Sequence, residues 1–327
     1  MAESITVEQG QLTQKNDQPQ RAGRRERKRE RWPRESNPVL IKELRGRMRG
    51  ARAFVVITVY LLLLTCFTSL IYYAYTANSS GPGGAEMAYL GKVIFFSVVV
   101  IEIFMVTFIT PAFTAGAISG ERERRTYELL RTTLLPASRV VFGKLLAALI
   151  FILVLILVAV PMESLAFVLG GVVIEELAVA LLFLLVTAFA FAAIGILFSA
   201  FLRTTLAATV ISYVSALLLT IGFPLLMLLL LTLGESWLYD WTPDSWIFEA
   251  VAMYLVFFVV SISPISAAVM TEVILMEENS LFYFWYTIDS THRIPIPSGW
   301  IVYSLVYLIL GTILIGIAVL RVRRQEQ

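Results

Sequence analysis

The sequence predicts an all-α polytopic membrane protein that crosses the bilayer six times, and three observations carry that prediction. First, 58% of the 327 residues are hydrophobic, only 15% are charged and the mean hydropathy is +0.79. A soluble domain carries about a quarter charged residues. Second, the apolar residues come in blocks of about 20 or more, the length that crosses a hydrocarbon core about 30 Å thick. Unbroken runs such as 145–160 argue against the short alternating segments of a membrane β-barrel. Third, the basic residues segregate. With the N-terminus, residues 119–139, Arg203 and the C-terminus placed in the cytoplasm, only Lys92 and Arg293 of the 26 Lys and Arg residues fall outside. That asymmetry orients membrane proteins. The outer loops instead carry acids, among them Glu175, Glu176, Glu235, Asp240, Asp244, Glu249, Glu277, Glu278 and Asp289.

Residues 1–35 are rich in Gln, Arg and Glu and include the run RAGRRERKRERWPR. With little to bury, they read as a disordered basic cytoplasmic tail that attracts anionic lipid headgroups; no nucleic-acid partner is expected. Residues 36–52 read as an interfacial amphipathic helix. Ser36 or Asn37 can cap it, and Pro38 suits its first turn. Val39, Leu40, Leu44 and Met48 share one face, with Lys42, Arg45, Arg47, Arg49 and Arg52 around it.

The membrane domain follows over 53–320. Span 1 covers 53–75; with no apolar leader before it, it serves as the uncleaved insertion signal. A Gly/Pro/Ser turn at 78–84 leads to span 2 at 92–118, which contains Glu102 and Pro111. Gly116 and Gly120 stand at GxxxG spacing and read as close helix packing within the bundle. Span 3 covers 140–161, a Gly170-Gly171 turn follows, and span 4 covers 173–201. Span 5, 206–233, should kink at Pro224. Span 6 covers 300–320, and 321–327 form a cytoplasmic C-terminus. The outer region, 234–299, contains 246–274, which is apolar enough to cross. Counting it would make seven spans and put Arg321, Arg323 and Arg324 outside. It is therefore expected to be re-entrant or to lie along the outer interface. The aromatic run 282–286 with Trp300 reads as an interfacial belt or, more sharply, a substrate gate.

Catalysis on this chain is not expected. The single cysteine, Cys66, allows no internal disulfide, and the single histidine, His292, excludes a two-histidine metal site. No Gly-x-Ser-x-Gly nucleophile motif occurs. Three acids sit in apolar surroundings and are functional candidates by default. They are Glu102 in mid-span 2, Glu163 just past span 3, and Glu272 in the disputed segment. Glu102 either fills a buried, hydrogen-bonded structural role or lines a transport path.

The stretch SGERERRTYELLRTTLLPASRVVFGK, residues 119–144, is the most charged run in the middle of the chain. Ser119 can cap a helix whose first turn carries Glu121 and Glu123. Tyr127, Leu130 and Leu134 recur at i, i+3 and i+7 as an apolar stripe. Pro136 stops the helix, and Ser138 can cap span 3. Such a helix either rests its stripe on lipid or bundle, or docks it into a groove on a soluble partner.

This stretch resembles the first cytoplasmic loop of ABC-2 type transporter permeases. Glu121, Arg122, Glu123, Thr126, Glu128, Leu129, Leu130, Thr133, Gly143 and Lys144 match that family's pattern. NPVLIKELRGRMRG also resembles the family's amphipathic N-terminal helix. Arg125 departs from the pattern where a Gly usually precedes the Thr, and Leu134 where a Pro usually follows Thr133. The resemblance implies the permease subunit of an ATP-driven export system in the cell membrane, with both termini cytoplasmic. The permease would be a homo- or heterodimer carrying two ATPase subunits. Residues 121–136, with Tyr127, Leu134 and Pro136 included, would be the coupling helix against the ATPase, and Gly143 and Lys144 would open span 3. The only Gly-Lys pairs, Gly91-Lys92 and Gly143-Lys144, lack the flanking residues of a phosphate-binding loop. ATP and Mg therefore belong on the partner chain, and no cofactor is expected on this one. The alternative is a membrane anchor or assembly subunit of the same fold that transports nothing and recruits cytosolic partners. An apolar path would suit lipids, hydrophobic drugs or peptides.

Overall fold

The structure, a computed structural model, describes residues 37–48, 51–78, 84–125, 136–238, 246–278, 280–288 and 292–326. The tail 1–35 and the insert residues Thr126, Tyr127, Glu128, Leu129, Leu130, Thr133 and Leu134 lie outside them. Among the described residues six helices are long and apolar enough to cross a membrane.

Helix α1 (Pro38–Met48) precedes span 1, α2 (Ala51–Asn78), and span 2, α3 (Gly84–Thr114). A turn at 115–118 leads to the short α4 (Ser119–Glu123). Span 3 is α5 (Ala137–Val168) and span 4 is α6 (Ile174–Phe201). Span 5 is built from α7 (Thr205–Leu217), a π-helical turn (Leu218–Gly222) and α8 (Phe223–Leu238). Then come α9 (Trp246–Val260), α10 (Pro264–Glu278), the strands β1 (Tyr283–Thr287) and β2 (Arg293–Pro297), and span 6, α11 (Gly299–Glu326).

Span 4 is the centre of the bundle, packed chiefly on spans 2 and 6. Its second half is rich in small residues: Ala188, Ala190, Ala192, Ala193, Gly195 and Ala200. In lipid, where no hydrophobic force draws helices together, small residues bring backbones into close contact. A Cβ on Gly195 would overlap the Thr114 side chain. Across this centre Phe183 stacks on Tyr303 at 4.3 Å, and Thr187 Oγ1 meets the Tyr303 hydroxyl at 2.9 Å. The margins are bare by comparison. In the most apolar stretch of each helix, 61% is buried in span 4, but 17% in span 1 and 11% in span 5.

Pro224 distorts span 5 as expected, and the structure shows how. Proline has no N–H to offer the carbonyl four residues back, here Thr220, and the π-turn Leu218–Gly222 immediately precedes it. Ser263 Oγ donates to that Thr220 carbonyl at 3.4 Å. A second bond, from the Tyr307 hydroxyl to Ile262 O at 2.6 Å, ties the same loop to span 6.

The apolar segment 246–274 is divided. Pro264 disfavours helix at the residue before it, and α9 and α10 meet there at a break over 261–263. Each has 15 residues, about 22 Å of helix at 1.5 Å per residue, short of the ~30 Å core. The aromatic stretch after them is not a loop. It pairs as an antiparallel ribbon in the register Tyr283↔Pro297 to Thr287↔Arg293. Phe284, Ile294 and Ile296 turn inward with Ala250 of α9, while Tyr283 and Trp285 are exposed. Pro295 and Pro297 are tolerated because both strands of a two-stranded ribbon are edges.

The two glycines after span 3 play different parts. Gly170 has φ +81° and ends α5 in the left-handed conformation glycine favours. At Gly171 the requirement is space: a Cβ would overlap the Ala88 carbonyl oxygen and stand 2.8 Å from the Lys92 nitrogen.

Candidate functional site

The root of the 119–144 insert is where the chain spends its buried charge. Span 2 ends at Thr114 because the backbone changes its bonding there. Ala115 N bonds Pro111 O, but Ala117 N reaches back only to Thr114 O. Three backbone groups thereby lose their helical partners and are satisfied from elsewhere. Ile118 N and Ser119 N donate to Ser199 Oγ of span 4 at 2.8 and 3.0 Å. The Phe113 carbonyl accepts from Arg47 Nη2 of α1 at 2.8 Å.

The three motif residues that follow each grip a different element. Glu121 Oε1 accepts from Lys144 Nζ of span 3 at 2.8 Å. Arg122 donates to Ala200 O at 3.0 Å and Leu202 O at 3.3 Å, filling carbonyls that the end of span 4 leaves without helical donors. Glu123 accepts from Thr205 N at 2.8 Å and from Thr205 Oγ1 at 2.7 Å. A carboxylate at the first turn of span 5 serves its free N–H groups and its positive end. Glu123 is solvent-exposed, so its worth is local. Replacing it by alanine should speed amide exchange at Thr205 and Leu206 several-fold while leaving mid-span 4 unchanged, a difference readable by exchange mass spectrometry.

Lys144 is the centre of this root. Its side chain is 2% exposed, and its ammonium lies 3.0 Å from Glu43 of α1 and 2.8 Å from Glu121. A buried ammonium is tolerable only when paired and hydrogen-bonded. Glu43 also lies 3.8 Å from Arg47, whose guanidinium sits 5.4 Å from the centre of the Phe113 ring. Burial lowers the Arg47 pKa, and Glu43 counters that shift. Gly143 lets α1 come close: a Cβ there would stand 2.8 Å from Asn37 Nδ2 and 3.1 Å from Val39 Cβ. Asn37 itself caps α1 by accepting from Val39 N at 3.1 Å, and donates to Arg139 O at 2.7 Å.

Several local expectations change. Ser119 does not cap α4: it is buried, with its hydroxyl donating to Ala115 O at 3.1 Å. Ser138 lies within α5, whose N-cap position is the extended Pro136 (φ −66°, ψ 145°). Arg47 belongs to the face of α1 turned to the bundle rather than to its basic surround. Arg125 has φ +55°, a left-handed conformation that favours glycine, at the position where the resembled pattern carries one. Gly116 and Gly120 both face Thr205: a Cβ added to them would stand 3.1 and 3.6 Å from its side chain, so their spacing serves packing inside the chain.

Glu43, Ser199 and Thr205 escaped sequence reasoning. Glu43 carried a signal, being the lone acid in a basic helix, four residues before Arg47. Ser199 and Thr205 carried none. Beside the root, Arg122, Glu123, Phe201, Arg203 and Arg321 line an open cleft of about 390 Å³, with the Arg321 guanidinium 5.1 Å from the Phe201 ring centre.

The other candidate acids lie elsewhere. Glu102 is fully buried in span 2, and Glu163 is buried inside span 3, whose helix runs on to Val168. Glu272 of α10, with Glu176, Thr271 and Trp300, lines a cavity of about 40 Å³ at the opposite end of the bundle. Burial and the neighbouring Glu176 push its carboxyl up to about 7, against the pull of Lys92.

A family model described as ABC-2 family transporter protein matches residues 38–320. No curated protein matches the chain.

Proposed function

We propose, from the premise that the chain belongs to the ABC-2 transporter family, that it is the export permease whose 119–139 insert receives the stroke of a separate ATPase subunit. The family membership makes it a permease component of an ABC transporter. The observation that supports the coupling role is the root of the insert. Glu121, Arg122 and Glu123 grip spans 3, 4 and 5 within one helical turn, and Lys144 brings α1 into the same cluster. A force on residues 126–135 thus enters four elements at once rather than bending one loop. Rigid transmission of that kind is what moving a bundle between two access states requires.

The arginine-lined cleft beside the root offers Arg203 and Arg321 to acidic groups on the ATPase. The sparsely buried span 5 leaves a face for a second permease copy, against which span 2 would rock. In this arrangement the insert end of the bundle is cytoplasmic, ATP and Mg reside on the ATPase, and this chain contributes no catalytic group.

Isolation of the protein from its native membrane in mild detergent tests the reading: an ABC ATPase subunit is expected to accompany it. Leu130→Asp, which puts a charge into the apolar stripe, is expected to cut transport-linked ATPase stimulation about tenfold or more, since a charge desolvated at a docked face costs upwards of about 1.4 kcal/mol. Absence of any ATPase together with an unaffected Leu130→Asp variant would sink the coupling role.

A further inference from the structure

We propose that Glu102, Glu163 and Tyr60 form a binding site for a monovalent cation inside the membrane domain. The three side chains come from spans 2, 3 and 1, and they are 0%, 1% and 2% exposed. Both carboxylate oxygens of Glu102, both of Glu163 and the Tyr60 hydroxyl are buried without a hydrogen-bond partner among the described residues. Glu102 and Glu163 lie within electrostatic reach of each other, and Tyr60 lies within reach of both.

Among the described residues no basic side chain balances them. Lys144 is committed to Glu43 and Glu121 at the insert end, and Lys92 pairs with Glu176 at 4.0 Å at the other. Lys144 shows how this chain treats a buried charge that it balances internally, with two partners at hydrogen-bond distance. The Glu102–Glu163 pair receives none. An uncompensated buried carboxylate costs several kcal/mol, and two that repel each other cost more. Such a pair persists in a folded protein only if cations neutralise it. Phenol and carboxylate oxygens accept a proton shared between acids, or ligate a small alkali ion. Two carboxylates are too few for a caged divalent ion, which takes six or more oxygens, and among the described residues no group of three or more acid, Cys or His side chains gathers. A cation held here is ligated by three spans at once, so its arrival draws spans 1 to 3 together and its loss lets them part. Span 2 is also the span that carries the insert, which gives the cation a direct hold on the moving part. The site stands on the membrane domain alone and survives even if no ATPase couples to the insert.

A hydrophobic carbodiimide tests it, because that reagent modifies carboxyl groups only in their protonated form and partitions into the membrane. The full chain in lipid nanodiscs is treated with dicyclohexylcarbodiimide at pH 7.5, in choline or sodium buffer, and modification is mapped by peptide mass spectrometry. In choline, Glu102 or Glu163 is expected to be modified about tenfold or more above the exposed Glu277, the factor that one unit of protonation equilibrium supplies. Suppression by sodium of about threefold or more, by direct competition, makes an alkali ion a second occupant; insensitivity to sodium makes the proton the occupant. Glu163→Gln, which keeps the side-chain shape, is expected to lower Glu102 modification because it removes the neighbouring charge. Modification of both acids no greater than that of Glu277 overturns the site. Glu102 labelling unchanged by Glu163→Gln overturns the pairing.

Discussion

Lys144→Ala is expected to cost the protein about 3 kcal/mol of stability, the lower end of the range for removing one partner of a buried ion pair. The low end applies because Glu43 and Glu121 keep some access to water, at 24% and 16% of their side-chain surface. Against a total stability of about 5–15 kcal/mol, the loss is large. It should appear as a lowered unfolding temperature in detergent and as reduced accumulation in the membrane. The deletion removes the ammonium that Glu43 and Glu121 share. Glu43 keeps Arg47 at 3.8 Å, and Glu121 loses its bond from the Lys144 ammonium. A Lys144→Met/Glu121→Gln double variant should therefore recover most of the loss, because both buried charges go together and the methionine fills the space. A double variant no better than Lys144→Ala would show that the lysine acts through packing rather than through its charge.

Gly171→Ala is the second large effect, and it acts at the other end of span 2. The added methyl overlaps a backbone oxygen, Ala88 O, and crowds the Lys92 amide nitrogen. Neither atom can turn aside as a side-chain tip does. Overpacking costs about 1–3 kcal/mol where side chains can adjust. A backbone clash should reach or exceed the upper figure, read as a fall in unfolding temperature. Gly170→Ala is a useful contrast. There the obstacle is the φ of +81° with no atom within 4 Å, so the cost is the conformational penalty alone, about 1–2 kcal/mol. If Gly171→Ala proved the milder of the two, the close approach of span 2 to the turn after span 3 would be wrong.

Together these positions pin span 2 at both ends. At the insert end Ser199 and Lys144 hold the turn and the short α4 that follow it; at the far end Gly171 seats its first turns against the end of span 3. A span held at both ends in this way is tied to its neighbours along its whole length. Spans 1 and 5 bury least.

Much of this architecture was legible in the sequence because membrane insertion is decided by local quantities. A block of apolar residues long enough to cross the core is a span whatever surrounds it, and the charge asymmetry around Lys92 and Arg293 needs only counting. Asn37 and Pro224 could be read for the same reason: a cap and a missing N–H act within four residues along the chain. The ribbon at 283–297 was missed because aromatic residues at a membrane edge suit a belt as well as a strand, and only pairing partners decide between them.

The sequence by itself determined the six spans, the helix that precedes them and the identity of the motif residues in the insert. Tertiary structure alone decided what those residues do. Glu121, Arg122 and Glu123 read as a charged first helical turn facing water, yet their partners, Lys144, Ala200, Leu202 and Thr205, lie 23 to 82 positions away. The same holds for Glu43, 101 positions from Lys144, and for Glu102 beside Glu163. The physical reason is range. Hydropathy and helix signals are summed along the chain, whereas the cost of burying a charge is settled by whichever group folding brings within about 3 Å of it.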